Sequence, residues 1–375
     1  MKWLPAVVVA LVLVVVAPSF GSAFHTPKLL VLGAGLLLVL PSVYRNWRRL
    51  PVSMFVFAGA VGVSASLHQS WSSPSTAVLL AGALTVAAFS TFEVDTALTA
   101  KLIGLALVVV CGLTVLQAFG VFTFGGAGRM TRSSTLGNPD FVASVVGAAV
   151  WLCWPLQRPW LLLVASLSVL TLALTQSFAS LLSFAMAAGG LLVLRAGPRR
   201  WLFVATLVVM AVLALGVSSR DLMTSVRGRW YLTQVALPHV LDAPLTGLGP
   251  GAVELHWPHW ELELWTKRCG EDAACVQAHP DFGFNGLQNH VHDDWLELWL
   301  EVGPIGLGAL VLWLVSRLRK ASNSPFAAAG LIALITRATV DFPLHRPADW
   351  AVLSLLCVAV SGEPNGSRSS RPLMV

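Results

Sequence analysis

The chain has 375 residues, of which 56% are hydrophobic and only 11% are charged. Soluble domains carry about 25% charged residues, so this composition excludes an ordinary soluble protein and predicts a chain that lies in a lipid bilayer. The formal net charge of +6 reflects basic residues that flank apolar segments, and we do not interpret it as a sign of nucleic-acid binding.

Apolar segments that can cross about 30 Å of hydrocarbon, allowing for tilt and short spans, recur along the whole chain. The sequence predicts an all-α integral membrane protein with about 12 transmembrane helices and one large helical loop. Helices one to nine fall within residues 1–217, the loop at 218–294, helices ten to twelve at 295–361 and a tail at 362–375. The predicted spans are residues 4–20, 28–43, 51–67, 74–92, 101–121, 140–155, 159–176, 178–195, 200–217, 295–316, 325–341 and 349–361.

Basic residues next to the spans predict the orientation, because short cytoplasmic loops carry an excess of Lys and Arg. The runs YRNWRR at 44–49, RAGPRR at 195–200 and RLRK at 317–320 fall on one side of a twelve-span topology. We therefore expect both termini in the cytoplasm and the large loop on the outer side. Alternatively, the small residues at 17–23 mark the cleavage site of a signal peptide, which would leave the remaining topology unchanged.

The residues most indicative of chemistry lie at 290–308 (HVHDDWLELWLEVGPIGLG), where the loop meets the tenth span. Histidine exchanges a proton near neutral pH, so His292 is a candidate acid or base. Four carboxyl groups recur at i, i+4 spacing, which predicts one side of a helix, and the glycines after them allow backbones to approach closely. The alternative is an acidic helix start that only faces solvent. The four acids are Asp293, Asp294, Glu297 and Glu301.

Other polar segments are predicted on the same side of the membrane. Arg132 follows a glycine-rich stretch whose amides suit a phosphate group, although a solvated loop is an alternative. The large loop opens with an amphipathic helix that carries Arg227 and Arg229 and that we expect to lie on the membrane surface. A last polar turn lies at residues 341–346. Four tryptophans suit a belt at the membrane interface or stacking against sugars: Trp257, Trp260, Trp295 and Trp299.

The five cysteines fall into two groups. Three lie in apolar spans, where we expect packing roles. Cys269 and Cys275 bracket a short turn in the outward loop, and an oxidising compartment would favour a disulfide between them. The alternative is a pair of free thiols.

Several motifs resemble those of the O-antigen ligase and polymerase family. The signature of that family is His, then Asn, Ser or Gln, nine residues, and Gly-x-x-Gly, and it resembles His292, Asp293, nine residues, Gly303 and Gly306 here, with Asp293 as a departure. Order and spacing match from about residue 130 to residue 347, whereas the first five spans match only in being hydrophobic. Further similar segments are GNPDF at 137–141, RGRWYLTQVA at 227–236, GLGPG at 247–251 and DFPLHRP at 341–347.

The resemblance implies a GT-C-like enzyme of the bacterial inner membrane that transfers a glycan from a polyprenyl-diphosphate carrier on the periplasmic side. The implied acceptor is another glycan, lipid A core or a protein, and membrane lipids surround the enzyme. Transfer would be inverting and would need neither a metal nor another cofactor. His292 would be the general base, and Arg229 would hold the diphosphate as it leaves. The implied substrate-binding residues are Arg227, Arg132, Asp293, Asp294, His290 and Arg346.

One departure from the family pattern concerns the turn before the eighth span. The resemblance implies an arginine directly after Ser177, and this chain has Phe178. Another cation, such as Arg132 or Arg346, would then contact the diphosphate, or the activity has changed.

Three alternatives use the same residues differently. A divalent ion could bind His290, His292 and Asp293, or His256 and His259, because these are metal-ligand types at suitable spacing. A transporter for lipid-linked sugars would place charges near the middle of the membrane, whereas the charges here gather at one surface. An inactive envelope scaffold would explain Phe178.

Overall fold

The computed structural model describes residues 2–16, 24–121, 132–195, 219–270, 272, 274–275 and 288–361, and all regular structure within these ranges is helical. The side chains of residues 195 and 219–225 lie outside this description. Thirteen α-helices are described: α1 Leu4–Val14, α2 Thr26–Arg45, α3 Val52–Leu67, α4 Pro74–Phe89, α5 Thr96–Ala118, α6 Pro139–Ala149, α7 Arg158–Thr175, α8 Phe178–Arg195, α9 Ser219–Ala236, α10 Ala252–Cys269, α11 Asp294–Leu318, α12 Pro325–Ala338 and α13 Pro347–Ser361.

The prediction of an all-α protein with apolar helices is confirmed. Within the described ranges, four helices are long and apolar enough to cross a membrane, namely α2, α5, α7 and α11. Seven shorter apolar helices lie at the other predicted spans that the structure describes. The predicted span at 200–217 lies outside the described residues.

Small residues bring the apolar helices into close contact. A Cβ atom on Gly82 of α4 would lie 2.3 Å from the indole of Trp350 on α13. A Cβ atom on Gly35 of α2 would lie 2.7 Å from Val8 of α1. Where lipid is the solvent, the hydrophobic effect does not drive helices together, and close van der Waals packing at small residues takes its place.

Helix α11 contains a sharp break at Gly303, whose φ of 68° and ψ of 177° are not helical. Pro304 follows and has no backbone N–H, so the carbonyl of Leu300 loses its usual donor. The backbone of the GLGPG segment replaces it: Leu248 N–H donates to the Leu300 carbonyl at 2.6 Å and Gly249 N–H to the Glu301 carbonyl at 3.1 Å. The break therefore ties the large loop to the helix that follows His292.

Glycine is required where these two segments meet. A Cβ atom on Gly303 would lie 2.2 Å from the carbonyl oxygen of Leu245, and one on Gly247 would lie 2.4 Å from the backbone of Glu301. The positive φ of Gly303 also favours glycine. The prediction that the glycines after the four acids allow close backbone approach agrees with the geometry at Gly303.

The large loop has a small apolar core of its own, formed between α9 and α10. Trp257 and Trp260 are 2% and 3% exposed, so the prediction that they form an interface belt or a sugar platform is wrong. Trp260 stacks on His239, with ring centres 4.5 Å apart, and Trp265 donates to the Tyr231 hydroxyl at 3.0 Å. These tryptophans hold the loop together. Trp299, by contrast, is 39% exposed.

Cys269 and Cys275 form a disulfide at the end of α10, with an S–S distance of 2.02 Å. The other cysteines, Cys111, Cys153 and Cys357, are buried free thiols in apolar helices.

Candidate functional site

The candidate site lies where helix ends from distant parts of the chain meet. The turn between α12 and α13 contacts the start of α11, where the Asp294 N–H donates to the Asp341 carbonyl at 3.2 Å. Arg229 of α9 contacts the same turn through the Val340 carbonyl. Asp140 at the start of α6 and Ser177 in the α7–α8 turn contact Arg337, near the end of α12. Residues as far apart in sequence as Asp140 and Arg337, 197 positions, are thereby brought together.

His292 lies two residues before α11 and has a left-handed backbone conformation, with φ of 60°. This conformation is uncommon outside glycine and is often found at functional sites. The Nδ1 atom of His292 is buried and lies 3.3 Å from Oδ1 of Asp341, within ion-pair distance although it is not aligned as a hydrogen bond. The side chain is 35% exposed, so its accessible part lies away from Nδ1.

Asp341 is the centre of this group of residues. Its Oδ2 atom accepts hydrogen bonds from Nε of Arg337 at 2.9 Å and from Nη1 of Arg346 at 3.3 Å, while its Oδ1 atom faces His292. Burial alone would raise the pKa of the Asp341 carboxyl, but the positive charges of Arg337 and Arg346 hold it well below its usual value. Asp341 therefore remains a carboxylate next to the histidine.

Arg229 approaches the same turn from α9. Its Nε atom donates to the carbonyl of Val340 at 2.7 Å, so the guanidinium lies beside the residue that precedes Asp341. Burial lowers the pKa of Arg229, and the charge of Asp341 opposes this shift. Arg229 is half-buried, whereas Arg227 is exposed.

The other predicted cations have different contacts. Nη1 of Arg132 donates to the Leu174 carbonyl at 2.8 Å, at the end of α7. Arg346 is 2% exposed, and its guanidinium carbon lies 4.4 Å from the centre of the Phe141 ring. Nε of Arg346 lies 2.8 Å from Oδ2 of Asp349 without hydrogen-bond alignment.

A second group of acids and a histidine is sealed inside the protein directly behind His292. Asp294, Glu297 and Glu301 are each 0% exposed, so the alternative of a solvated acidic helix start is wrong. Both ring nitrogens of His345 contact carboxylates at 2.8 Å, Nδ1 on Oδ1 of Asp294 and Nε2 on Oε2 of Glu301. Burial alone would lower the pKa of His345, but Glu297 and Glu301 raise it well above its usual value.

Backbone N–H groups satisfy the remaining oxygen atoms of these acids. Asp294 accepts from Leu344, Glu297 from Val291, and Glu301 from Gly251, at 2.7, 2.9 and 2.6 Å. Oε1 of Glu297 also lies 2.6 Å from Nδ1 of His290. The sealed group thus joins the large loop, the start of α11 and the turn that carries Asp341. Asp293 has a local role, because its Oδ1 accepts from the N–H groups of Trp295 and Leu296 and so caps α11.

Among the described residues, His290, Glu297 and His345 bring three potential metal-ligand atoms within 4.8 Å of one another. The ring nitrogens of His345 already contact two carboxylates at hydrogen-bond distance. His290 and His292 point to different acids, Glu297 and Asp341. This donor set therefore fits shared protons better than a divalent ion.

Arg337 was missed as a site residue from the sequence. It lies in the predicted span at 325–341, and a charge within an apolar span, four residues before an aspartate, was the signal that could have identified it. Nη1 of Arg337 donates to the hydroxyl of Ser177 at 2.8 Å and to the hydroxyl of Ser180. The resemblance implied an arginine directly after Ser177, and a guanidinium does lie beside Ser177, contributed by α12 rather than by residue 178.

Part of the chain is similar to a known protein family. Residues 162–311 match the sequence profile of the family described as O-antigen ligase. No curated protein sequence matches the chain. The matched region includes Arg229 and His292 and ends before Arg337 and Asp341. Together with the apolar helices, this match indicates a bacterial membrane protein with glycosyltransferase-like activity. Over this part of its length, the chain is similar to the O-antigen ligase family.

Proposed function

We propose that this protein transfers a glycan from a polyprenyl-diphosphate carrier to an acceptor hydroxyl on the periplasmic side of the bacterial inner membrane. The large loop at 218–294 would face the periplasm and both termini the cytoplasm, which the basic runs on the opposite side of the predicted topology support. The acceptor would be a glycan, lipid A core or a protein.

The observation that carries the proposal is the contact between His292 and Asp341, with Arg229 bound to the adjacent Val340 carbonyl. A histidine next to a buried carboxylate is suited to take up a proton, because the carboxylate stabilises the imidazolium that forms. A guanidinium on the same turn offers positive charge and forked donors for a diphosphate.

The transfer step then uses the following atoms. The acceptor oxygen attacks the anomeric carbon and forms the new glycosidic bond, while the bond from that carbon to the diphosphate oxygen breaks. The acceptor proton passes to His292, and Nε2 is the nitrogen for this transfer because Nδ1 faces Asp341. The electron pair of the broken bond leaves on the diphosphate, whose growing charge Arg229 offsets.

The sealed group of acids supports this site without touching substrate. Asp294, Glu297 and Glu301 are fully buried, and with His345 they fix the backbone on both sides of His292. We therefore assign Asp294 a supporting role and Asp293 a helix-capping role, while Arg227, which is exposed, is available for the lipid diphosphate or for headgroups.

The test is transfer of a labelled glycan from a polyprenyl-diphosphate donor by purified protein, with a chelator present. We expect His292→Ala to lower the rate by about 10²- to 10⁴-fold, the usual contribution of a general base. Arg229→Ala should lower it by about 10²- to 10³-fold, because a donor to the leaving group is lost.

Two matched controls lie away from the site. His259 is exposed on α10, and Arg319 is exposed after the far end of α11, so His259→Ala and Arg319→Ala should retain wild-type rates. Full activity in folded His292→Ala would disprove the role of the base. Wild-type protein that is inert with several donors and acceptors would favour a transporter or a scaffold, and activity that requires a divalent ion would favour metal catalysis.

A further inference from the structure

Arg337 is a buried charge near the end of the apolar helix α12. It is 1% exposed, and its guanidinium joins three parts of the chain. Nε contacts Oδ2 of Asp341 at 2.9 Å, Nη1 contacts the hydroxyls of Ser177 and Ser180, and Nη2 lies 3.4 Å from Oδ1 of Asp140. Every nitrogen of the side chain therefore has a partner.

These contacts make the two oxygen atoms of Asp341 unequal. Oδ2 is held by Arg337 on one side and by Arg346 on the other, so the carboxylate cannot rotate without losing both guanidinium contacts. Oδ1 is then the oxygen that faces Nδ1 of His292. The hydroxyls of Ser177, in the α7–α8 turn, and of Ser180, in the first turn of α8, fix the opposite edge of the guanidinium.

We propose that Arg337 is a positioning residue for the glycan transfer, which holds Asp341 so that Oδ1 faces His292. This inference rests on the proposed function. Arg337 is too deeply buried to contact substrate, so its effect would pass through Asp341 alone. Removing it should lower kcat and leave the KM for the lipid donor nearly unchanged, because the binding surface is not altered.

A lysine cannot replace this arginine. The guanidinium is planar and donates in several directions at once, whereas an ammonium group is a point charge on a flexible stem. Arg337→Lys keeps the positive charge but cannot hold both Asp341 and the hydroxyls of Ser177 and Ser180. The lysine variant thus separates geometry from charge.

Charge removal gives a second readout. Arg337→Gln takes away one of the cations that keep Asp341 ionised, so the pKa of the Asp341 carboxyl rises. A protonated Asp341 cannot stabilise the imidazolium of His292, so the acidic limb of the pH–rate profile moves to higher pH. The charged and titratable groups that face Asp341 from the surrounding elements are Arg337, Arg346, His292, Arg229, Asp140 and Asp349.

The experiment measures kcat, donor KM and the pH–rate profile for Arg337→Lys and Arg337→Gln, with Arg319→Lys as the control. We expect kcat of Arg337→Lys to fall by about tenfold to a hundredfold, a part of what a general base contributes, with KM changed by less than about twofold. Arg337→Gln should also shift the acidic limb. A folded lysine variant with wild-type kcat, or an unshifted acidic limb in a folded glutamine variant, would overturn the inference.

A double-mutant cycle separates positioning from general stability, and it needs only the conservative variants. In an Asp341→Asn background, Arg337→Lys should change kcat by less than about twofold, because the carboxylate that it positions is already absent. Effects that multiply in the double variant would overturn the inference. If wild-type protein transfers no glycan, it is the proposed function that fails, and the cycle is not reached.

Discussion

His292 and His345 both contact carboxylates, but their surroundings differ. His345 is fully buried, and each of its ring nitrogens contacts an acid at 2.8 Å. His292 is 35% exposed, and among the described residues one acid pairs with it, 3.3 Å from Nδ1 and without hydrogen-bond alignment. A histidine whose two nitrogens are both occupied has no position left for a substrate proton. His345 is therefore suited to stability and His292 to chemistry.

The two groups also differ in the charges around them. The acids near His345 are matched by that histidine, by His290 and by backbone N–H groups, all of one buried unit. Asp341 is instead paired with Arg337 of α12 and with Arg346 of the turn before α13. Positive charge on the turn beside a partly exposed histidine, here that of Arg229, suits a site that receives an anionic leaving group.

The largest effect that separates the two groups is expected for His345→Ala. Removing this cation leaves buried carboxylates without their partner, which should lower the free energy of unfolding by about 3 to 5 kcal/mol. Thermal unfolding of purified protein in detergent measures it, with His259→Ala as the control on an exposed histidine. A stable variant that has lost only activity would contradict the structural assignment of His345.

A smaller loss of stability is expected for Gly303→Ala, which tests the link between the loop and α11. The added Cβ would lie 2.2 Å from the Leu245 carbonyl, at a φ of 68° that alanine disfavours. We expect destabilisation of about 1 to 3 kcal/mol, seen as a lower unfolding temperature. Gly308 has open space around it, so Gly308→Ala is the matched control. Equal unfolding temperatures for the two variants would count against the close contact.

The smallest effect on the free energy of unfolding is expected from a change of pH, and its sign differs between His345 and Asp341. The pKa of His345 is raised, so its stabilisation is fully present below the pKa of an unfolded histidine and is lost as pH rises through the folded value. The pKa of Asp341 is lowered, so its stabilisation is present above the unfolded value and is lost as pH falls through the folded one.

Unfolding temperature measured from about pH 7 to about pH 10 checks the first part, because this range lies above the unfolded histidine value. We expect it to fall across this range in wild type and to fall less in His345→Gln, which cannot carry the charge. Identical slopes in the two proteins would show that other groups cause the change.

The fold class could be predicted from the sequence because a helix in a membrane needs a continuous apolar segment, and such a segment can be recognised without knowing how the helices pack. The close approach at Gly303 was also predictable, since contact with another backbone restricts that position to the smallest residue. The tryptophans of the loop were interpreted wrongly. Tryptophan is typical of an interface belt, and the residue type does not reveal that the packing of α9 against α10 buries Trp257 and Trp260.

The sequence by itself determined that the chain is an apolar helical protein, that His292 and Arg229 are the residues to test, and that Cys269 and Cys275 are close enough to pair. Only the tertiary structure decided which acids are sealed around His345, that Asp341 is the partner of His292, and that Arg337 stands beside Ser177 where residue 178 is phenylalanine. The physical reason is that helix periodicity acts over a few residues, whereas these contacts join helix ends up to 160 residues apart. Which ends meet depends on how all the helices pack.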